Sequence, residues 1–101
     1  MLIHLEEQKF EDVVASKLCL VDFYATWCGP CRMLAQEFEE IVETTQDFDI
    51  VKVDIDEFPA LAHQFAIEVV PTMIVFKGLL FIMWLFYTST VIFTSLLSFV
   101  I

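Results

Sequence analysis

Positive charge is scarce in this chain. Its 101 residues carry 5 Lys and Arg against 15 Asp and Glu, a formal net charge of −10. So few cations make no basic patch to neutralise a phosphate backbone, which argues against nucleic acid as a partner. Cysteine is sparse too. The three residues Cys19, Cys28 and Cys31 are an odd count, too few for the framework of a disulfide-rich secreted scaffold. Only two histidines are present, His4 and His63, and no second Cys/His pair stands at ligand spacing, so no metal site is expected. Met1 to Glu7 lacks a basic segment, a long apolar core and a small-residue cleavage site. No secretory leader is read there, and a reducing cytosol is the expected compartment. Charge itself runs out at Lys77: from Gly78 to Ile101 there is none. No internal repeat or low-complexity linker is present.

What remains is a chain long enough for one domain, with 58% apolar residues in an orderly pattern. Leu2 to Leu5 reads as a short edge strand, and Gln8 to Lys17, with Phe10, Val13 and Val14 at helical spacing, as a modest amphipathic helix. Leu18 to Ala25 is a nearly unbroken apolar run, the mark of a strand buried on both faces. Arg32 to Thr45 sets Leu34, Phe38, Ile41 and Val42 on one helical stripe. Ile50 to Ile55 alternates as a strand does. Asp56-Glu57-Phe58-Pro59 opens a short helix that carries Leu61 and Phe65 and ends near Ala66. Thr72 to Lys77, entered through Val70-Pro71, is a further strand. Strands alternating with helices predict an α/β domain with right-handed crossovers, the last strand free to pair antiparallel.

The chemistry concentrates at Trp27-Cys28-Gly29-Pro30-Cys31, between the apolar strand and the amphipathic helix. Two thiols one helical turn apart can form and break a disulfide. The attacking species in such exchange is a thiolate, and the positive end of a helix stabilises an anion at Cys28. Gly29 permits a tight turn and Pro30 presets the backbone for the helix. Two competing readings are half a zinc site and an inert buried pair. Scattered His4, His63 and Cys19 count against the first; the surface-turn character of Trp27, Gly29 and Pro30 counts against the second. Cys19 reads as a small buried hydrophobe, and His63 as a surface or boundary residue.

Asp22 interrupts the buried strand on the face shared by Leu20 and Tyr24. A carboxylate in low dielectric tends to stay protonated and can exchange a proton near neutral pH. It is read as a proton relay for Cys31. A structural pairing with Lys52 of the next strand is the compatible alternative.

Residues 1–78 resemble the thioredoxin family, whose namesake is the standard example of a C-x-x-C redox pair. The matching stretches are Val21 to Arg32, Val51 to Asp56, and Val70 to Gly78. The resemblance implies a thioredoxin-like α/β fold, a mixed central sheet flanked by helices, and reduction of protein disulfides, with roles in electron transport and cell redox homeostasis. It implies Cys28 as nucleophile and Cys31 as resolving thiol. Asp22 with Lys52 beside it would be the buried acid, Pro71 a cis-proline, Val70 the backbone that pairs with an extended substrate, and Trp27 the border of the substrate surface. Gly29-Pro30 between the cysteines is, in that family, typical of reductases. The implied partners are disulfide-containing proteins and thioredoxin reductase. No cofactor beyond the redox-active pair and no metal is implied. Gln36 stands where many members carry a helix-kinking proline.

The tail, 79–101, departs from that family, so the expected fold has an incomplete or replaced last strand and helix. Its 23 uncharged residues reach the length of about 20 that a membrane-spanning helix needs. Three readings stand: a membrane anchor with the domain in the cytosol; a frame-shifted or aberrant gene end, with weak or no turnover; or a native-like replacement with Leu80 to Tyr87 pairing beside Thr72 to Lys77. Without such pairing, the Thr72–Lys77 strand is expected to be an exposed, aggregation-prone edge.

Overall fold

The computed structural model describes residues 1–6, 9–15 and 18–77 with their side chains, and residues 80–86 by backbone. In chain order the elements are β1 (Leu2–His4), α1 (Phe10–Val14), β2 (Leu18–Tyr24), α2 (Gly29–Thr44), β3 (Asp49–Asp54), α3 (Pro59–Gln64), β4 (Thr72–Lys77) and β5 (Leu80–Phe86). The five strands form one sheet in the order β1-β3-β2-β4-β5. β3 lies parallel to both β1 and β2, while β4 runs antiparallel to β2 and β5 antiparallel to β4. The predicted mixed α/β sheet is thus the observed one, with the two parallel connections made through helices as crossovers require.

The strand period of two sorts β2 onto two cores. Cys19, Val21 and Phe23 pack with Phe10, Val14, Val51, Val53, Ile74 and Phe76 on the α1/α3 side. Leu20 packs with Leu34, Phe38, Ile50, Met73 and Val75 on the α2 side. The first core is rich in aromatic pairs: Phe65 lies 5.5 Å from Phe10, 5.8 Å from Phe23 and 5.7 Å from Phe76, centroid to centroid. The second is filled by the predicted stripe of α2, with Leu34 and Phe38 fully buried and Ile41 and Val42 partly so. α2 runs without a break through Gln36, which is exposed.

Four expectations are corrected. β4 is not an edge: each of its residues has a partner in β5, from Thr72↔Phe86 to Lys77↔Leu80, with a bulge between Val75 and Phe76. That pairing is the strand half of the native-like reading of the tail. A single helix across 79–101 is excluded, because Leu80–Phe86 is extended. The anchor and aberrant-end readings otherwise concern residues 87–101, and these, like the expectation about the last helix, lie outside the described residues. Among the described residues no helix is long and apolar enough to cross a membrane. Lastly, α2 begins at Gly29 rather than Arg32, since Pro30 and the capping sulfur of Cys28 fit a first turn, and α1 is shorter than predicted.

α3 ends unusually. Ala66 has a left-handed φ of 54°. Its N–H donates to the His63 carbonyl at 3.0 Å, and the Ile67 N–H donates to the Ala62 carbonyl at 3.0 Å. This is the paired bonding of a Schellman cap, in which glycine is the usual left-handed residue. No glycine marks the spot in the sequence.

Candidate functional site

β2 delivers the chain to the site and α2 receives it. After Tyr24 the backbone turns through Ala25 to Trp27, and Cys28 becomes the N-cap of α2 with Pro30 in the first turn. Cys28 and Cys31 are joined as a disulfide with their Cα atoms 5.3 Å apart. The Cys31 N–H donates to Cys28 Sγ at 3.2 Å. This is one of the otherwise unpartnered donors of a helix start, aimed at the sulfur that caps it. Negative charge on Cys28 Sγ is therefore favoured by both a hydrogen bond and the helix dipole.

The disulfide is more sheltered than the sequence suggests. Cys28 is 5% exposed and Cys31 2%, although Thr26, Trp27 and Pro30 around them are exposed. The surface turn belongs to the neighbours; the sulfurs sit just beneath, against Ala25, with Tyr24, Ile55 and Val70 packed around. Cys28, the more accessible of the two, faces the loop before β4, its Sγ 3.8 Å from the Val70 carbonyl oxygen. The Val70–Pro71 peptide is cis, as the resemblance implied.

Trp27 is 66% exposed, and its Nε1–H donates to Asp56 Oδ2 at 2.9 Å. That bond across 29 positions of sequence was not predicted. Trp27, Ile55, Ile67, Glu68, Val69 and Val70 line an open groove of about 290 Å³ beside the disulfide. Gly29 differs from expectation: it is the first residue of α2, and a Cβ built there would meet nothing within 4 Å. No tight turn requires glycine here.

Asp22, two residues along β2 from Tyr24 and on the same face of the sheet, is 0% exposed. Neither of its oxygens has a hydrogen-bond partner among the described residues. Burial pushes its carboxyl from 3.8 up to about 7, against the opposing pull of Lys52. Lys52 is its Cα partner in the β2–β3 pairing, and 7% exposed. The expected pairing of the two is a neighbourhood rather than a contact. The Lys52 Nζ instead lies over the Tyr24 ring, 4.1 Å from its centroid. The Tyr24 phenol is itself raised above 10.0, by burial first and then by Asp54, Glu57 and Asp22. Tyr24, Ala25, Thr26, Cys31, Arg32, Ala35 and Lys52 line a second cleft of about 290 Å³, so Cys31 and Lys52 share an opening to solvent.

The fold thus brings Cys28, Cys31, Trp27, Val70 and Pro71 together, and sets Lys52 on a cleft shared with Cys31 and in register with Asp22. Sequence reasoning missed Tyr24 and Asp56. Cys19 is buried in the α1/α3 core, as read, and His63 is exposed. Among the described residues no group of three or more His, Cys, Asp or Glu could hold a metal ion.

The thioredoxin family model matches residues 1–79. A thioredoxin of Chlamydia trachomatis is 42% identical over 73 residues, covering 72% of each chain. The bifunctional thioredoxin reductase/thioredoxin of Mycobacterium leprae is 48% identical over 71 residues, 68% of this chain and 16% of that one. Among solved structures, Schistosoma mansoni thioredoxin superposes with a TM-score of 0.87 at 33% identity, covering 99% of this chain and 95% of that one. A sheltered disulfide capping a helix, set against a cis-proline loop in a sheet of this order, agrees with those matches: the chain belongs to the thioredoxin family and is a thiol–disulfide oxidoreductase.

Proposed function

We propose that this chain reduces disulfides in other proteins and is itself recharged by thioredoxin reductase. The observation that carries the reading is the placement of Cys28 Sγ, which caps α2, accepts the Cys31 N–H and lies beside the Val70 carbonyl. In the dithiol form the Cys28 thiolate attacks one sulfur of the target disulfide. A mixed disulfide forms, and the other target sulfur leaves as a thiolate that takes up a proton. Cys31, deprotonated by the Asp22 carboxylate, then attacks Cys28 Sγ. The second target sulfur leaves as a thiolate that takes up a proton, Cys28–Cys31 closes, and Asp22 releases the proton it accepted. The target gains two electrons and two protons; the cysteine pair loses two electrons and two protons, one when the Cys28 thiolate forms and one through Asp22.

The substrate segment lies extended in the groove, paired with the backbone of Val70 and bordered by Trp27, Gly29, Pro30 and Pro71. The exposed indole supports this, as does the apolar lining of Ile55, Ile67, Val69 and Val70. Lys52 tunes Asp22 by its charge. The redox equivalents reside in the cysteine pair, with no metal or dissociable cofactor. The reductase fused to the Mycobacterium leprae relative supports the choice of electron donor. The cytosol, where the pair is kept reduced, is the proposed compartment.

Reduction of insulin disulfides by the full chain, with a thioredoxin reductase supplying electrons, tests this. Turnover lost on Cys28→Ser is the expected result. An unchanged rate in that variant overturns the assignment.

A further inference from the structure

Two buried ionisable groups of opposite sign stand side by side and do not touch. Asp22 and Lys52 are direct partners in parallel strands, which lie about 4.8 Å apart, so a lysine stem is long enough to bring its ammonium onto the carboxyl. The Asp22 oxygens nevertheless have no hydrogen-bond partner among the described residues. The ammonium is instead centred over the face of Tyr24, at 4.1 Å, well inside the range of a cation–π contact. Tyr24 is two residues along β2 from Asp22, hence on the same face of the sheet.

We propose that Tyr24 is a positioning residue of this site: its ring holds the Lys52 ammonium over the aromatic face and so keeps that charge off the Asp22 carboxyl. The inference rests on the reading of Asp22 as the proton acceptor for Cys31.

The physical reason is a contest between two partners for one cation. A direct, buried ion pair would fix Asp22 as a carboxylate and end its capacity to exchange a proton near neutral pH. An aromatic face satisfies the ammonium without taking a proton or offering one. Lys52 then acts on Asp22 only from a distance, as a modest pull against the dominant effect of burial. The other groups around the pair do not replace this device. From β1 the residue in register with Lys52 is His4, which is exposed. From β3 comes Asp54, and from the turn after it Glu57, both of which act on Tyr24. From α2 come Cys31, held in the disulfide, and Arg32, on the rim of the cleft. From β4 the residue opposite Asp22 is Met73, which carries no charge.

The test is the titration of the Asp22 carboxyl carbon, followed by NMR in the disulfide form of the full chain. Tyr24→Leu should lower its midpoint by about 1 pH unit or more, the size expected when an opposite charge comes into contact. Tyr24→Phe should leave it in place, because the ring face and not the hydroxyl is what holds the cation. In the Lys52→Met background, Tyr24→Leu should no longer lower the midpoint. Tyr24→Met serves as the non-aromatic variant if Tyr24→Leu fails to fold. An unmoved midpoint in the non-aromatic variants overturns the proposal. So does an equal drop in Tyr24→Phe, or a drop that persists without Lys52, since water entering the vacated space would then be the cause. Failure of the relay itself reads out separately, as an Asp22→Asn variant whose insulin-reduction rate and pH profile match the parent.

Discussion

Replacing Asp22 by Asn should make this protein more stable at alkaline pH and nearly neutral in effect at acid pH. The carboxyl is fully buried and titrates at about 7 rather than 3.8. The folded state therefore binds this proton more tightly than the unfolded state does. Below pH 3.8 both states hold it and nothing is lost. As pH rises toward 7 the unfolded chain releases the proton while the folded protein keeps it, so folded stability falls. Above about 7 both states are ionised and the full cost stands. A difference of roughly 3 pH units at 1.36 kcal/mol each makes that cost about 4 kcal/mol, a large part of the 5–15 kcal/mol, or about that, typical of a domain. Asn has nearly the same shape and no such titration. Urea unfolding of the disulfide forms of parent and Asp22→Asn, at pH values from about 5 to about 8.5, isolates the effect, because other titrations cancel in the difference. The gap should widen by about 2–3 kcal/mol across that range, in favour of Asn. Parallel stability curves, with a gap independent of pH, would refute the burial argument and with it the idea that Asp22 titrates near neutrality.

The same variant should reduce insulin more slowly, and the inflection near pH 7 in its pH–rate profile should vanish if Asp22 takes the Cys31 proton. Cys31→Ser should trap target proteins on Cys28, seen by mass spectrometry as a mixed disulfide stable until a reductant is added; free Cys28 under the same conditions counts against it as the attacking sulfur. Ala66→Gly should raise stability by about 0.5–1 kcal/mol, since glycine adopts the left-handed cap at no steric cost, and a loss on denaturant unfolding would show that φ at this residue is not left-handed. Phe38→Ala, which empties the centre of the α2 core, should destabilise by about 3–5 kcal/mol; a change below about 1 kcal/mol would place Phe38 outside that core.

Much of this architecture is written in local pattern. The unbroken apolar run of β2, the alternation of β3 and the stripe of Leu34 and Phe38 on α2 each state their burial through periods that need no knowledge of the rest of the chain. The cysteine pair is legible for the same reason: its spacing and its place before a helix are local facts. Asp22 shows itself as one acid in seven β2 residues, and an acid in such a run has few uses other than chemistry. What escapes local reading depends on partners distant in sequence. Leu80–Phe86 is apolar throughout, a composition shared by membrane segments and by strands. Only its pairing with Thr72–Lys77 decides between them. Ala66 occupies a glycine position because α3 and the core around Phe65 and Ile67 hold the chain there, so propensity alone points elsewhere. The shelter of the disulfide likewise comes from Val70 and Ile55, which lie far along the chain.

The arrangement behind the disulfide is the furthest from local pattern and the most consequential for function. Sequence places Lys52 beside Asp22 through strand register, and from charge alone the two should meet. The ammonium lies instead over a third body, the Tyr24 ring. A carboxyl with no hydrogen-bond partner among the described residues, an ammonium seated on a ring and a disulfide nearby make sense together on the proposed reading, because each leaves the next free to react. An ion pair would be locally more satisfied and, on the proposed reading of Asp22, would leave Cys31 without a base able to release its proton again. A site whose polar groups are under-satisfied at rest, at a cost of a few kcal/mol to the fold, is what proton exchange coupled to thiol chemistry near neutral pH requires.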